Sequence, residues 1–233
     1  GTYSLNLEVS DGDGGTDTSS ASIIVLNVAP TITSASMPGG DEGDTLLFDV
    51  VATDPGADTL TYSWDFGDGT TDVGTSLTHV FADNGTFTVE VTVSDGDGGT
   101  TSSSSQVTIV NVTPIIDSMV GPSSTDEGQI VTFTAGVSDP SSADISSMSY
   151  TWNWGDGTSD STGASPDHAF PDDGSYTVLL SVSDGTETVT QNHVVTVSNV
   201  APEFTSIPPE TAEEDVLYSY LPIVEDPGDE VFT

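Results

Sequence analysis

Gly85-Thr-Phe-Thr-Val-Glu-Val-Thr-Val-Ser-Asp-Gly-Asp-Gly-Gly99 repeats Gly1-Thr-Tyr-Ser-Leu-Asn-Leu-Glu-Val-Ser-Asp-Gly-Asp-Gly-Gly15 almost position for position. A third copy reads Gly174-Ser-Tyr-Thr-Val-Leu-Leu-Ser-Val-Ser-Asp-Gly185. Apolar residues alternate with polar ones through all three, which is the period of a half-buried strand, and each copy ends in an Asp-Gly turn. A second marker keeps the same beat: Asn27-Val-Ala-Pro30, Asn111-Val-Thr-Pro114 and Asn199-Val-Ala-Pro202, with prolines 84 and 88 residues apart. That spacing is one small domain. The marker divides the chain into the last part of a domain (1–29), two whole domains (30–113 and 114–201) and the start of a fourth (202–233). Linkers are nearly absent, and the short proline-stiffened junctions predict an extended rod.

Further alternation marks further strands: Leu46, Phe48, Val50 and Ala52 in one domain, Val131, Phe133, Ala135 and Val137 in the next. No segment carries a helical period. Six or seven short strands in about 85 residues predict an all-β sandwich of two sheets. Composition agrees. Thr, Val and Ser dominate, and 24 Gly and 13 Pro supply turns. Although the chain is acidic enough to suggest disorder, 34% of it is hydrophobic and regularly patterned.

Charge excludes several function classes. The 233 residues hold 38 Asp and Glu, three His, and no Lys, Arg or Cys. Without Lys or Arg the chain has no means of binding nucleic acid phosphates. An anionic membrane would repel it, and no apolar run is long enough to insert in one. A charge of −38 must repel itself in any compact state. Dissolved salt or bound metal has to offset it.

Trp64-Asp-Phe-Gly-Asp-Gly69, His79-Val-Phe81 and Gly85-Thr-Phe-Thr-Val89 together resemble the PKD (polycystic kidney disease) repeat. Trp152-Asn-Trp-Gly-Asp-Gly157, His168-Ala-Phe170 and Gly174-Ser-Tyr-Thr-Val178 resemble it again, departing at Asn153 and Trp154. The last segment, from Phe204 through Tyr218 and Tyr220 to Glu225-Asp-Pro-Gly228, is more similar to the start of a cadherin-like or immunoglobulin-like bacterial repeat. The resemblance implies immunoglobulin-like sandwiches serving as spacers in secreted and cell-surface proteins. Trp64, Trp152 and Trp154 are expected in the cores. His79 and His168 are expected to make structural hydrogen bonds.

Acidic motifs recur in register: Asp41-Glu42-Gly43 with Asp126-Glu127-Gly128; Asp54-Pro-Gly-Ala-Asp58 with Asp139-Pro140 to Asp144 and Asp226-Pro-Gly-Asp229; Asp95-Gly-Asp97 with Asp184-Gly185. Because strands run up and down, the first loop should lie where the chain leaves a sandwich. The second loop and the last hairpin should lie where it enters. Oxygen donors would then meet at each junction: Asn27, Asp54, Asp58 and Asp95 at 27–30; Glu42, Asn111, Asp139, Asp144 and Asp184 at 111–114; Glu127, Asn199 and Asp226 at 199–202. Six to eight hard oxygens suit Ca2+. Any one of these loops alone reads as a turn, since Asp-Gly and Asp-Pro-Gly are common turn formers. Their joint recurrence beside a junction Asn favours metal. Asp95-Gly-Asp-Gly is no EF-hand, because Gln106 stands where the twelfth-position Glu would be.

No nucleophile motif, phosphate loop or pocketed carboxylate pair is present, so the sequence predicts no enzyme. It predicts an extracellular or cell-surface array stiffened by calcium, a segment of a stalk, adhesin or filament. The expected partners are the neighbouring repeats, other copies in a filament, or cell-surface ligands. The rival reading is an accessory carbohydrate- or protein-binding module of a secreted hydrolase.

Overall fold

A computed structural model of the chain describes residues 1–56 and 58–228. It forms two compact units, Gly1–Asn111 and Val112–Thr233. Ala57 and Asp229, each part of an acidic motif named above, lie outside the described residues, as do 230–233.

The first unit opens with an antiparallel hairpin, Thr2–Ser10 against Thr16–Ile24. The chain then builds a sandwich. One sheet has the order Thr31–Ser36, Leu46–Thr53, Ser76–His79. The other runs Gly40–Asp41, Thr100–Val110, Gly85–Ser94, Thr61–Asp65, Thr71–Val73. Its first pairing is parallel, with Ile109 opposite Gly40 and Val110 opposite Asp41. The alternation read from sequence becomes burial: Val89, Val91 and Val93 are buried, while Glu90 between them is exposed and Thr92 half-buried. These valines pack with Phe48, Val50, Trp64, Phe66, Phe81, Val107 and Ile109 in one core. In the opening hairpin the corresponding Tyr3, Leu5, Leu7, Val9 and Ile23 remain exposed.

The second unit repeats the plan. Its five-stranded sheet is Ser124–Asp126, Thr188–Ser198, Gly174–Ser183, Ser149–Asn153, Ser161–Thr162. Opposite it, Ile115–Val120 pairs with Thr134–Ser138, and Val131–Thr132 with Asp167–His168. Phe133, Trp152, Trp154, Phe170, Val178, Leu180 and Val182 fill the core. A short pair, Glu203–Phe204 with Val224–Glu225, follows. One helix departs from the all-strand expectation, Ser142–Ser147. The Ser141 hydroxyl accepts from the Asp144 N–H, 3.1 Å away, and caps it. Six residues are too few to show a helical period, so the segment reads as a loop in sequence.

The Trp and His expectations hold. Trp64 and Trp152 are buried, and their ring N–H groups donate to Gly74 O and Gly163 O. His79 stacks on Phe66 at 3.8 Å between ring centres, and His168 on Trp154 at 4.2 Å. Trp154 thus replaces a Phe with a larger ring whose extra N–H donates to Ser161 Oγ. The outer edge of each His meets the aspartate of the motif's Gly-Asp-Gly: His79 Nε2 is 2.7 Å from Asp68 Oδ2, His168 Nε2 2.6 Å from Asp156 Oδ2. An ionised carboxylate only accepts, so Nε2 carries the proton. The other oxygen of each Asp accepts the N–H and hydroxyl of Thr70 or Thr158.

Burial raises the pKa of Asp68 and Asp156, but the Thr and His hydrogen bonds outweigh it and hold both below the usual 3.8. A depressed carboxyl stabilises the fold above its unfolded pKa and loses that contribution as pH falls through the folded one. Asp156→Ala should therefore destabilise the second sandwich by about 2–3 kcal/mol at neutral pH, from several charge-assisted hydrogen bonds. Urea unfolding followed by tryptophan fluorescence checks this. The gap to wild type should be full above the ordinary carboxyl range and should narrow as pH falls through the depressed folded-state pKa.

Candidate metal centres

Strand register decides which acidic loops meet. In the first unit Thr31 lies opposite Thr53, and Thr61 opposite Ser94. Asp54 and Asp95 each follow one of these strand ends, so both sit where the chain enters the sandwich from Asn27–Pro30. The Asn27 amide nitrogen donates to Asp95 Oδ2 at 2.7 Å. Asp95 Oδ1 accepts the N–H groups of Asp97 and Gly99, both at 2.9 Å. The Asn27 bond, then these N–H groups, lower the Asp95 pKa against the opposing effect of burial. One oxygen of Asp95 thus builds its own hairpin turn, while the other faces the junction.

Asp54 is arranged alike. Oδ1 accepts the Gly56 N–H at 2.7 Å, while Oδ2 is buried with no hydrogen-bond partner. Asp58 lies beside it. Its carboxyl is pushed above 3.8 by burial first and then by the charges of Asp54, Asp97 and Asp95. Asn27, Asp54, Gly56, Asp58 and Asp97 line a cleft of about 340 Å³ together with Tyr3. The sequence expectation for 27–30 therefore meets in space and gains Asp97, whose motif was recognised although Asp95 alone was singled out.

In the second unit Ile115 lies opposite Ser138 and Ser149 opposite Ser183, so Asp139 and Asp184 also share the end where the chain enters. Asp139 Oδ1 accepts the Ser141 N–H at 2.8 Å, and Asp184 Oδ1 accepts those of Thr186 and Glu187. Asp144 is buried on the short helix that follows Asp139. Glu42 and Asn111 belong to the first unit, where the Glu42 N–H donates to Val110 O at the end from which the chain leaves.

Glu127 occupies the corresponding end of the second unit. Its N–H donates to Ser198 O, and its Oε1 accepts the Val200 N–H at 2.6 Å. Asn199 is exposed. Asp226 gives Oδ1 to the Gly228 N–H and lines a cleft of about 460 Å³ with Val200, Ala201 and Pro227. The carboxylates grouped with Glu127 are instead Asp172 and Asp173. Sequence reading missed both, because they fall in the turn before Gly174-Ser-Tyr and outside the recurring acidic motifs.

Comparison with known proteins places the fold in a family. The PKD domain family matches residues 27–110 and 111–198. The chain belongs to the PKD domain family. Over 98 residues it is 36% identical to collagenase ColA of Bacillus cereus, covering 37% of this chain and 10% of that protein. It is 32% identical over 87 residues to a microbial collagenase of Vibrio alginolyticus, covering 37% of this chain and 11% of that one. The match thus spans about a tenth of the length of these curated relatives. The PKD1 domain of Vibrio anguillarum Epp is matched in full by 37% of this chain, at 22% identity and a TM-score of 0.32.

The Asn27–Asp95 contact generates a paired test. A Cβ at Gly99 would lie 2.1 Å from Asp95 Oδ2 and 2.7 Å from the Ala29 backbone; one at Gly15 would meet only the side chain of Asp11. Gly99→Ala should destabilise the first unit by about 1–3 kcal/mol through overpacking. Gly15→Ala should stay within about 1 kcal/mol. Denaturant midpoints of the two variants give the comparison, and equal effects would contradict the junction described.

Proposed function

We propose that this chain is a non-catalytic segment of an extracellular repeat array, in which Ca2+ bound at domain junctions fixes each domain to the next. One observation carries the reading. Asn27, Asp54, Asp58, Asp95 and Asp97 gather at the 27–30 junction, in a chain with no Lys or Arg to neutralise them. Oxygen is the only donor element there. Asp54 Oδ2 there lacks a partner. Such a donor set suits a hard divalent cation, Ca2+ before Mg2+ given its tolerance of irregular geometry.

An extracellular location fits a composition offering no site to trypsin-like proteases and able to tolerate high salt. No described helix is long and apolar enough to cross a membrane. A stalk, adhesin or filament segment is the role that such an array would fill. The kinship with collagenases favours a second reading, an accessory module of a hydrolase. The three tryptophans are buried in the cores, which leaves them unable to stack on sugar rings. Cosedimentation with insoluble collagen and with chitin separates the two readings, retention on either favouring the accessory module.

Thermal melts in millimolar Ca2+ and in chelator test the junction directly. A ligand at a hundred times its Kd stabilises by about 2.7 kcal/mol. The midpoint should rise by several degrees with Ca2+ but not with matched NaCl. Asp54→Asn/Asp58→Asn should lose the part of the rise that belongs to the first unit. A shift of less than about two degrees in wild type contradicts calcium bracing.

A further inference from the structure

We propose that Glu127, Asp172 and Asp173 form a second divalent-cation site, distinct from the junction at 27–30, which holds the chain where it leaves the second sandwich. One carboxylate oxygen from each of the three residues lies within 4.8 Å of the others. Acidic side chains crowd together on many surfaces without binding anything. Here Glu127 makes the difference, because it is only 2% exposed and its Oε2 is buried with no hydrogen-bond partner. A buried carboxylate with one unpaired oxygen, set beside two more carboxylates, is unfavourable unless a cation fills the space between them.

The backbone explains why the three meet. The Gly128 N–H donates to Phe170 O at 2.9 Å, which fastens the Glu127 turn to the loop Phe170-Pro-Asp-Asp-Gly174. The Tyr176 hydroxyl donates to the backbone oxygens of Asp172 and, more weakly, Asp173. That bond fixes the main chain and leaves both side chains to turn toward Glu127. The charges of Asp172, Asp156, Asp173 and Glu127 add to burial in raising the Tyr176 pKa. In the first sandwich the same turn is fastened by Gly43 N–H to Phe81 O, but Asn84 stands where Asp173 does. The second sandwich thus carries one more carboxylate at this place.

All the side-chain donors are oxygens, and no His or Cys is among them. The ligand is therefore a hard divalent cation of the Ca2+ class, completed by water. Its effect would pass to the linker. Glu127 Oε1 holds the Val200 N–H, so a cation on the same carboxylate orients the group that pins the chain after Asn199. The following segment leans on the same turn, since a Cβ at Gly128 would meet Pro227 Cβ at 2.5 Å.

Calorimetric titration of the whole chain with Ca2+ tests the site. Glu127→Gln keeps an oxygen for the Val200 N–H. Asp172→Asn/Asp173→Asn alters a half-buried and an exposed side chain, and far-UV circular dichroism confirms that each variant is folded. Each should weaken one class of Ca2+ binding at least tenfold, while Asp54→Asn/Asp58→Asn leaves that class untouched. Isotherms of both variants that superimpose on wild type overturn the site. If Asp54→Asn/Asp58→Asn alone superimposes, the junction reading fails and this site stands. No saturable Ca2+ binding by wild type overturns both.

Discussion

A carboxylate in a chain without Lys or Arg has few ways to be satisfied inside a folded protein. It can accept from backbone N–H groups, hydroxyls, amides or one of three histidines, or it can bind a cation from solution. The described structure uses each of the internal options. Asp68 and Asp156 take a Thr and a His; Asp11, Asp54, Asp95, Asp139, Asp184 and Asp226 take N–H groups of their own turns. These bonds commonly engage one oxygen of the pair. Asp54 Oδ2 and Glu127 Oε2 are left over at domain ends, and the partner proposed for them is an external cation.

This division of labour explains how a highly charged chain still packs ordinary cores. The apolar face of each strand is filled by Val, Phe and Trp at close contact, and the buried carboxylates Glu42, Asp95, Glu127, Asp144 and Asp184 lie outside both cores, in turns or on the short helix. Asp-Gly turns thus serve the fold before they serve any ligand. Asp95 shows both roles in one side chain: Oδ1 closes a hairpin, and Oδ2 receives Asn27 from the preceding junction. A turn reading and a ligand reading thus do not exclude each other, since the two oxygens do different things.

Much of this was legible in the sequence. The alternation in Gly85–Ser94 names the buried valines outright, and strand alternation puts Asp54 and Asp95 at the same end as Asn27. The Trp and His positions follow from the family resemblance and match the core. Three features were not legible. The helix Ser142–Ser147 is too short for periodicity and exists because Ser141 caps it. Asp97 joins the junction because of the twist of a hairpin turn, which no pattern encodes. Asp172 and Asp173 meet Glu127 through a hydrogen bond spanning 42 residues, Gly128 to Phe170, and a cross-sheet contact of that range leaves no local trace.

The central claim is that cations occupy particular sites here, as distinct from forming a diffuse screening cloud. Amide chemical shifts of the isotopically labelled chain, followed by NMR during Ca2+ addition in constant excess NaCl, address it most directly. Site binding predicts saturable shifts concentrated at Gly56, Asp97 and Gly99 and at Gly128, Asp173 and Val200, with the exposed acidic turn at Asp11–Gly15 little changed. Small, unsaturated shifts spread evenly over every acidic turn would contradict it.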